Sequence, residues 1–285
     1  MKNLLEKGLT GFDLKYLALV FMVLDHIHYF FEFTGRIPIW FSWLGRLAAP
    51  LFLFCLIEGF IHTHDRKRYF LKIYVISIIM GLIQFGFYNV LDFAVRGDGF
   101  FPVNAMLSSF SILLVVLMGI EWIRQKKYLI GILAVVIPVI ILPNIFVRFV
   151  YSNPDNHIVN ILASLINFTV LPLHNMIQDG GTLTLYEGVI LYLFSFCKNK
   201  NIRIYAYIIF KLLIGVGLVT LTMGTFNVHA LIFESFEWMS AFSAIFMLCY
   251  NGERGNGNSR FFYFFYPAHI YVLYGMSFIT YSLFR

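Results

Sequence analysis

Leu14-Lys15-Tyr16-Leu17-Ala18-Leu19-Val20-Phe21-Met22-Val23-Leu24-Asp25-His26-Ile27-His28-Tyr29-Phe30-Phe31-Glu32-Phe33 is one apolar run, and its centre carries a carboxylate beside an imidazole. As a helix it rises about 30 Å, the thickness of the hydrocarbon layer. A soluble fold has no use for such a run. In lipid, an ionisable pair near its middle is costly and marks either a site or a buried ion pair.

The rest of the chain has the same character. Hydrophobic residues make up 60% of the 285, charged residues 13%, and the mean hydropathy is +0.78. Soluble domains carry nearer a quarter charged residues, which keep their surfaces wet. The 33 Phe and 17 Tyr suit lipid-facing and interfacial positions. The net charge of +6 sits in short clusters between apolar runs, so it reads as topogenic charge and no nucleic-acid partner is expected. Cys55, Cys197 and Cys249 lie in apolar stretches without pairing or metal spacing. Met1–Thr10 is polar and the run that follows exceeds a signal-peptide core, so a retained first span is expected.

Nine spans follow: Leu14–Phe33, Phe41–His62, Phe70–Val90, Val103–Ile123, Leu129–Phe149, Leu183–Cys197, Ile204–Met223, His229–Tyr250 and Phe261–Phe284. Lys2, Lys7, Arg66-Lys67-Arg68, Arg124, Lys126, Lys127, Lys198, Lys200, Arg203, Arg254 and Arg260 fall on one side. Arg36, Arg96, Arg148 and Arg285 fall on the other, which places the N-terminus in the cytoplasm. Val159–Leu173 is apolar but short, and counting it as a crossing would break this charge pattern. It is expected as a re-entrant or interfacial helix over a cavity opening outward. The fold class is therefore all-α: a polytopic integral membrane helical bundle of about nine spans in a single domain. Gly252–Ser259 is its one flexible loop.

Helix rise puts Asp25 and His26 roughly 16–18 Å from the cytoplasmic end of the first span, and Arg46 about 8 Å below the outer end of the second. At this shared depth an Asp25–Arg46 pair is expected, either as a helix staple or as part of a site. Burial and a neighbouring carboxylate act oppositely on an imidazole, which suits His26 to a general base. Asp25, His26 and His28 do not converge on one helix face, so no metal is expected. Glu58 and His62 share a face near the cytoplasmic end of the second span. His62-Thr63-His64-Asp65-Arg66-Lys67-Arg68 then reads either as an orientation signal or as a mouth for a phosphate-bearing ligand. Lys211, Glu187, Glu234 and Glu237 lie within spans, and Asn104 lies at an outer end. Pro267-Ala268-His269 combines a kink with an imidazole.

Leu14–Leu19 with Met22-Val23-Leu24-Asp25-His26 resembles the first span of the TraX family. Gly45-Arg46-Leu47-Ala48-Ala49-Pro50-Leu51-Phe52-Leu53-Phe54, with Glu58-Gly59-Phe60 and His62-Thr63, resembles its second. Asn104 and Phe264-Phe265-Tyr266-Pro267-Ala268-His269 match further family positions. The resemblance implies a multi-pass acetyltransferase of a bacterial cell membrane. Its donor would be cytosolic acetyl-CoA, and its acceptor an extracytoplasmic peptide amine or glycan hydroxyl among the membrane lipid. On that reading His26, Asp25 and Arg46 are catalytic, with Arg46 holding Asp25 or the oxyanion. Glu58, His62, Arg66, Lys67, Arg68 and His269 bind the donor, and His28, Asn104 and Glu187 face the acceptor. The pantetheine arm reaches roughly 15–20 Å, comparable with the depth of His26. A proton-coupled transporter is the alternative that uses the same buried charges.

Overall fold

Thr10 opens the first helix with a reciprocal cap. Its hydroxyl accepts from the Asp13 N–H, and the Asp13 carboxylate accepts from the Thr10 N–H. From there the computed structural model describes residues 8–224 and 226–283. Its helices in chain order are α1 (Gly11–Phe31), α2 (Trp40–Gly45), α3 (Ala48–His62), α4 (Arg66–Asn89), α5 (Met106–Arg124), α6 (Tyr128–Val136) and α7 (Leu142–Tyr151). They continue with α8 (His157–Phe168), α9 (Gly181–Leu193), α10 (Ile202–Leu212), α11 (Leu218–Met223), α12 (Ser243–Leu248) and α13 (Ser259–Leu283). Among the described residues the only extended pairing is an isolated bridge between Leu9 and Tyr250.

Six stretches are long and apolar enough to cross a membrane: Gly11–Thr34, Trp40–His62, Arg66–Asn89, Met106–Arg124, Tyr128–Tyr151 and Ile202–Leu221. Val75, Ile79 and Leu82 of α4 and Leu129, Leu133 and Ile140 along Tyr128–Tyr151 stay exposed, a surface that only lipid covers. The chain is an all-α, polytopic integral membrane protein. Nine regular spans were expected, and the difference lies in three segments. Leu183–Cys197 forms only the 13 residues of α9 and a short 3-10 turn. His229–Tyr250 breaks into a π turn (Ala230–Glu234), a 3-10 stretch (Phe236–Phe242) and α12. Phe261–Phe284 does form one long helix, α13, but its tyrosines, Pro267 and His269 dilute its apolarity. The expected helix over Val159–Leu173 is α8, whose 12 residues rise about 18 Å and fall short of the hydrocarbon thickness. Lys2, Lys7, Phe284 and Arg285 lie outside the described residues.

The chain divides into two compact units, Met1–Gly59 with Ile190–Phe262, and Phe60–Val189 with Tyr263–Arg285. In the first, α2 and α3 are separated by a turn at Arg46-Leu47, and Pro50 sits in the first turn of α3, where its missing N–H costs nothing. Gly45 lets α2 approach α1, because a Cβ there would fall on the Asp25 side chain. The loop after α12 is more ordered than a flexible linker. Its Glu253 and Arg254 carbonyls accept from the Gly11 and Phe12 N–H groups at 2.8 and 3.0 Å, satisfying the open first turn of α1. The broken segment 229–250 is covered by its own side chains: Trp238 Nε1 donates to the Leu231 carbonyl at 2.9 Å and Ser240 Oγ to the Glu237 carbonyl at 2.5 Å.

In the second unit, α5 and α6 form a hairpin in which Gly119 and Gly131 meet, each occupying the space of the other's absent Cβ. Gly81 of α4 allows the same closeness to the Phe168 carbonyl. Between α6 and α7 the helix loosens into a π turn, Ile137–Ile141. Pro143 has no N–H for the Val139 carbonyl four residues earlier, and His174 Nε2 takes that carbonyl at 3.0 Å. A carbonyl only accepts, so Nε2 carries the proton and Nδ1 accepts from the Thr182 hydroxyl at 2.8 Å.

The loop 92–100 is clasped to α13 by Arg96, which is 4% exposed. Its guanidinium grips Asp98 through Nε at 2.9 Å and Nη2 at 2.8 Å, and its backbone N–H donates to the Tyr274 hydroxyl. The hydrogen bonds from Arg96 hold the Asp98 carboxyl below the ordinary aspartate range. A depressed folded-state pKa contributes stability above the unfolded value of about 3.9 and loses it as pH falls through the folded value. Thermal unfolding in detergent is therefore expected to shift to lower temperature in the acid range. Asp98→Asn should be less stable than wild type at neutral pH and should lose less on acidification; equal acid sensitivity of the two proteins would remove Asp98 from this role.

Candidate functional site

Two ion clusters lie in the first unit. In one, the turn between α2 and α3 presents Arg46 to α1. Arg46 Nη2 meets Asp25 Oδ1 at 2.7 Å, Nη1 meets Glu237 Oε1 at 2.6 Å, and Nε reaches the Ser42 carbonyl at 3.4 Å. The guanidinium also lies 5.6 Å from the centre of the Phe236 ring. The expected Asp25–Arg46 pair therefore forms, and Glu237, a residue given no partner by the sequence, completes it. One guanidinium thus faces two carboxyl groups. Arg46 holds Asp25 through one nitrogen while its other two reach Glu237 and the Ser42 carbonyl.

His26, adjacent to Asp25 on α1, is buried beside the Phe30 and Tyr29 rings. His28 lies two positions on, and its Nδ1 is 3.2 Å from Ser42 Oγ on α2. Asp25, His28, Ser42 and Arg46 thus knit α1 to α2, while His26 is the imidazole of this helix that packs among aromatic rings.

The second cluster is at Glu58. Its carboxylate meets Arg203 of α10 at 2.5 Å, with both side chains largely buried, and the Tyr250 hydroxyl hydrogen-bonds the same carboxylate. Arg203 also stacks 4.6 Å from the Phe54 ring. Glu58, expected beside a bound donor, joins α3 to α10 through this pair. Arg203 had read only as one base of a loop cluster, and nothing in the local sequence tells a buried arginine from a topogenic one.

The other expected residues belong to the second unit. Arg66 is tied to Glu121 at 3.5 Å and lies over Phe60, while His62, Lys67 and Arg68 are exposed. The Arg66–Glu121 contact brings the start of α4 and the end of α5 together, so Lys67 and Arg68 share one end of the unit with Arg124, Lys126 and Lys127. That end is strongly basic. His269 is buried in α13, stacked 5.1 Å from Phe265, with Nδ1 2.9 Å from the Phe265 carbonyl. Nδ1 therefore donates to that carbonyl. Glu187 is buried in α9. Asn104 lies between Val103 and Ala105, both of which line a cavity of about 540 Å³ roofed by α8.

The family model described as "TraX protein" matches residues 11–277. Among curated proteins, "Probable fimbrial assembly protein FimC, serogroup H1" of Dichelobacter nodosus is 32% identical over 87 residues, covering 28% of this chain and 32% of that protein. The match thus spans about a third of the length of the curated relative. No solved structure matches the chain.

Breaking the Glu58–Arg203 pair strands a buried carboxylate. Arg203→Met is expected to cost about 3–5 kcal/mol of stability, and pairing it with Glu58→Gln should recover part of that loss. Thermal unfolding of the detergent-purified single and double variants measures both; a double variant no better than Arg203→Met would sink the assignment of a mutual pair.

Proposed function

Because the chain belongs to the TraX family, we propose that it is a membrane acetyltransferase that moves an acetyl group from cytosolic acetyl-CoA to an amine or hydroxyl of an extracytoplasmic peptide or glycan. The observation that carries this reading is the buried His26 next to a carboxylate that Arg46 holds in place. A general base needs an imidazole that is positioned and backed by charge, and a lipid-embedded helix holds such a group only for a reason. The name of the relative, a fimbrial assembly protein, supports a pilus-related setting in a bacterial membrane.

In the proposed reaction His26 takes the proton from the acceptor nitrogen or oxygen as that atom attacks the thioester carbonyl carbon. The new N–C or O–C bond forms, the C–S bond breaks, and the thiolate leaves with the proton carried by the imidazole. Asp25 stabilises the transient imidazolium, and Arg46 with Glu237 keeps Asp25 from turning away. The phosphates of the donor suit the exposed bases His62, Lys67 and Arg68, to which Arg124, Lys126 and Lys127 add charge at the same end. His269 binds the pantetheine arm or relays a proton. The clustering of bases at that end supports a cytoplasmic location for it and, with it, a cytoplasmic N-terminus.

Transfer of label from acetyl-CoA to acceptor by the purified protein tests the reading. His26→Ala is expected to lower kcat by about 10²–10⁴, the usual contribution of general acid–base catalysis. Full transfer by a folded His26→Ala protein would remove the base assignment, and proton flux in liposomes without any binding of CoA would replace the enzyme with a transporter.

The donor site has its own signature. Lys67→Glu with Arg68→Glu should raise KM for acetyl-CoA while leaving kcat nearly unchanged, because exposed phosphate contacts act equally on ground and transition states. An unchanged KM would send the nucleotide elsewhere.

A further inference from the structure

The cavity of about 540 Å³ in the second unit falls within the range of small-molecule sites, roughly 300–1,000 Å³. Its walls come from the end of α4, the stretch 101–108, α7, α8 and the loop 172–178. Five carboxamides line it: Gln84, Asn89, Asn160, Asn167 and Gln178. Ser108, Ser164 and an exposed His157 add polar groups, and no Asp, Glu, Lys or Arg is among the described lining residues. Tyr88, Phe101, Phe146 and Phe168 supply aromatic walls.

The amides are partly fixed from behind. Asn89 Nδ2 donates to the Phe85 carbonyl at 3.1 Å, and Asn160 Nδ2 to the Pro154 carbonyl at 2.9 Å. Asn167 Oδ1 accepts from the Leu173 N–H at 3.1 Å. The Asn89 and Asn160 oxygens are thereby set as acceptors and the Asn167 amino group as a donor. A mixed set of neutral donors and acceptors against aromatic faces matches a ligand whose groups both donate and accept and whose ring faces are apolar.

We propose that this cavity binds a neutral saccharide. Each sugar hydroxyl donates one hydrogen bond and accepts others, and each lining amide or hydroxyl can answer it. The C–H faces of a pyranose lie flat on aromatic rings, which bury them without a polar loss. The charge-free lining argues against the other ligands. A peptide amino terminus, with a pKa near 7.7–8.0, is largely protonated and calls for a carboxylate. A phosphate headgroup calls for Arg or Lys. Neither partner is present among the described lining residues. The assignment stands on this lining and holds whatever chemistry Asp25 and His26 perform.

Isothermal titration of the full-length protein in detergent tests it, with maltose, cellobiose and N,N′-diacetylchitobiose as neutral probes, sialyllactose as an anionic one and trialanine as a peptide. Saturable binding of at least one neutral sugar is expected, with neither sialyllactose nor trialanine bound. Gln178→Ala, at an exposed position, and Gln84→Ala should each weaken that binding by about three- to tenfold, the contribution of a neutral hydrogen bond. Unchanged melting temperatures will show that both variants fold. No binding of any neutral sugar, preferential binding of the anionic sugar or the peptide, or affinity indifferent to both substitutions overturns the proposal. Acetyl transfer is measured separately, so a protein that transfers acetyl but binds no sugar loses only this inference.

Discussion

A charge surrounded by hydrocarbon must find its counter-charge within the protein, because neither water nor salt reaches it. Arg203 meets this requirement with Glu58, and the partly buried Arg46 is held between Asp25 and Glu237. Much of the first unit follows from these two cations. The segment 229–250 gives up regular helix and delivers Glu237 to Arg46. Tyr250, just beyond α12, adds its hydroxyl to the Glu58 pair. A straight helix through the same residues would spread its side chains evenly around an axis.

The same demand governs the backbone. Several of the places where helix is interrupted have an identifiable partner for the groups released. The open first turn of α1 is closed by carbonyls of the loop after α12, and the Val139 carbonyl left by Pro143 is taken by His174. In the irregular stretch before α12, Trp238 and Ser240 supply donors from within the segment itself. Irregular backbone survives at membrane depth because protein groups replace the missing water. Arg46 exploits one of these interruptions: at a turn between two short helices its side chain reaches two carboxylates and a carbonyl together.

Charge is unevenly distributed in the second unit. One end is strongly basic, and the cavity under α8 offers only neutral hydrogen-bonding groups among its described lining residues. Holding Asp25 with an arginine that Glu237 and the Ser42 carbonyl also hold keeps the carboxylate beside His26 in one place.

The sequence alone determined the solvent, the helical class and the family resemblance, since hydropathy and run length decide these locally. It also located the Asp25–Arg46 pair, because helix rise along two antiparallel spans is simple arithmetic. Short or broken segments were not legible. Leu183–Cys197 and His229–Tyr250 are apolar enough to read as spans, yet whether such a run stays helical depends on which distant groups can satisfy its backbone. Tertiary structure likewise decided that Glu58 joins helices, that Glu237 completes the Arg46 cluster, and that carboxamides scattered from Gln84 to Gln178 line one cavity. Residues this far apart in the chain carry no mutual signal in a single sequence. Only folding places one's donor against another's acceptor.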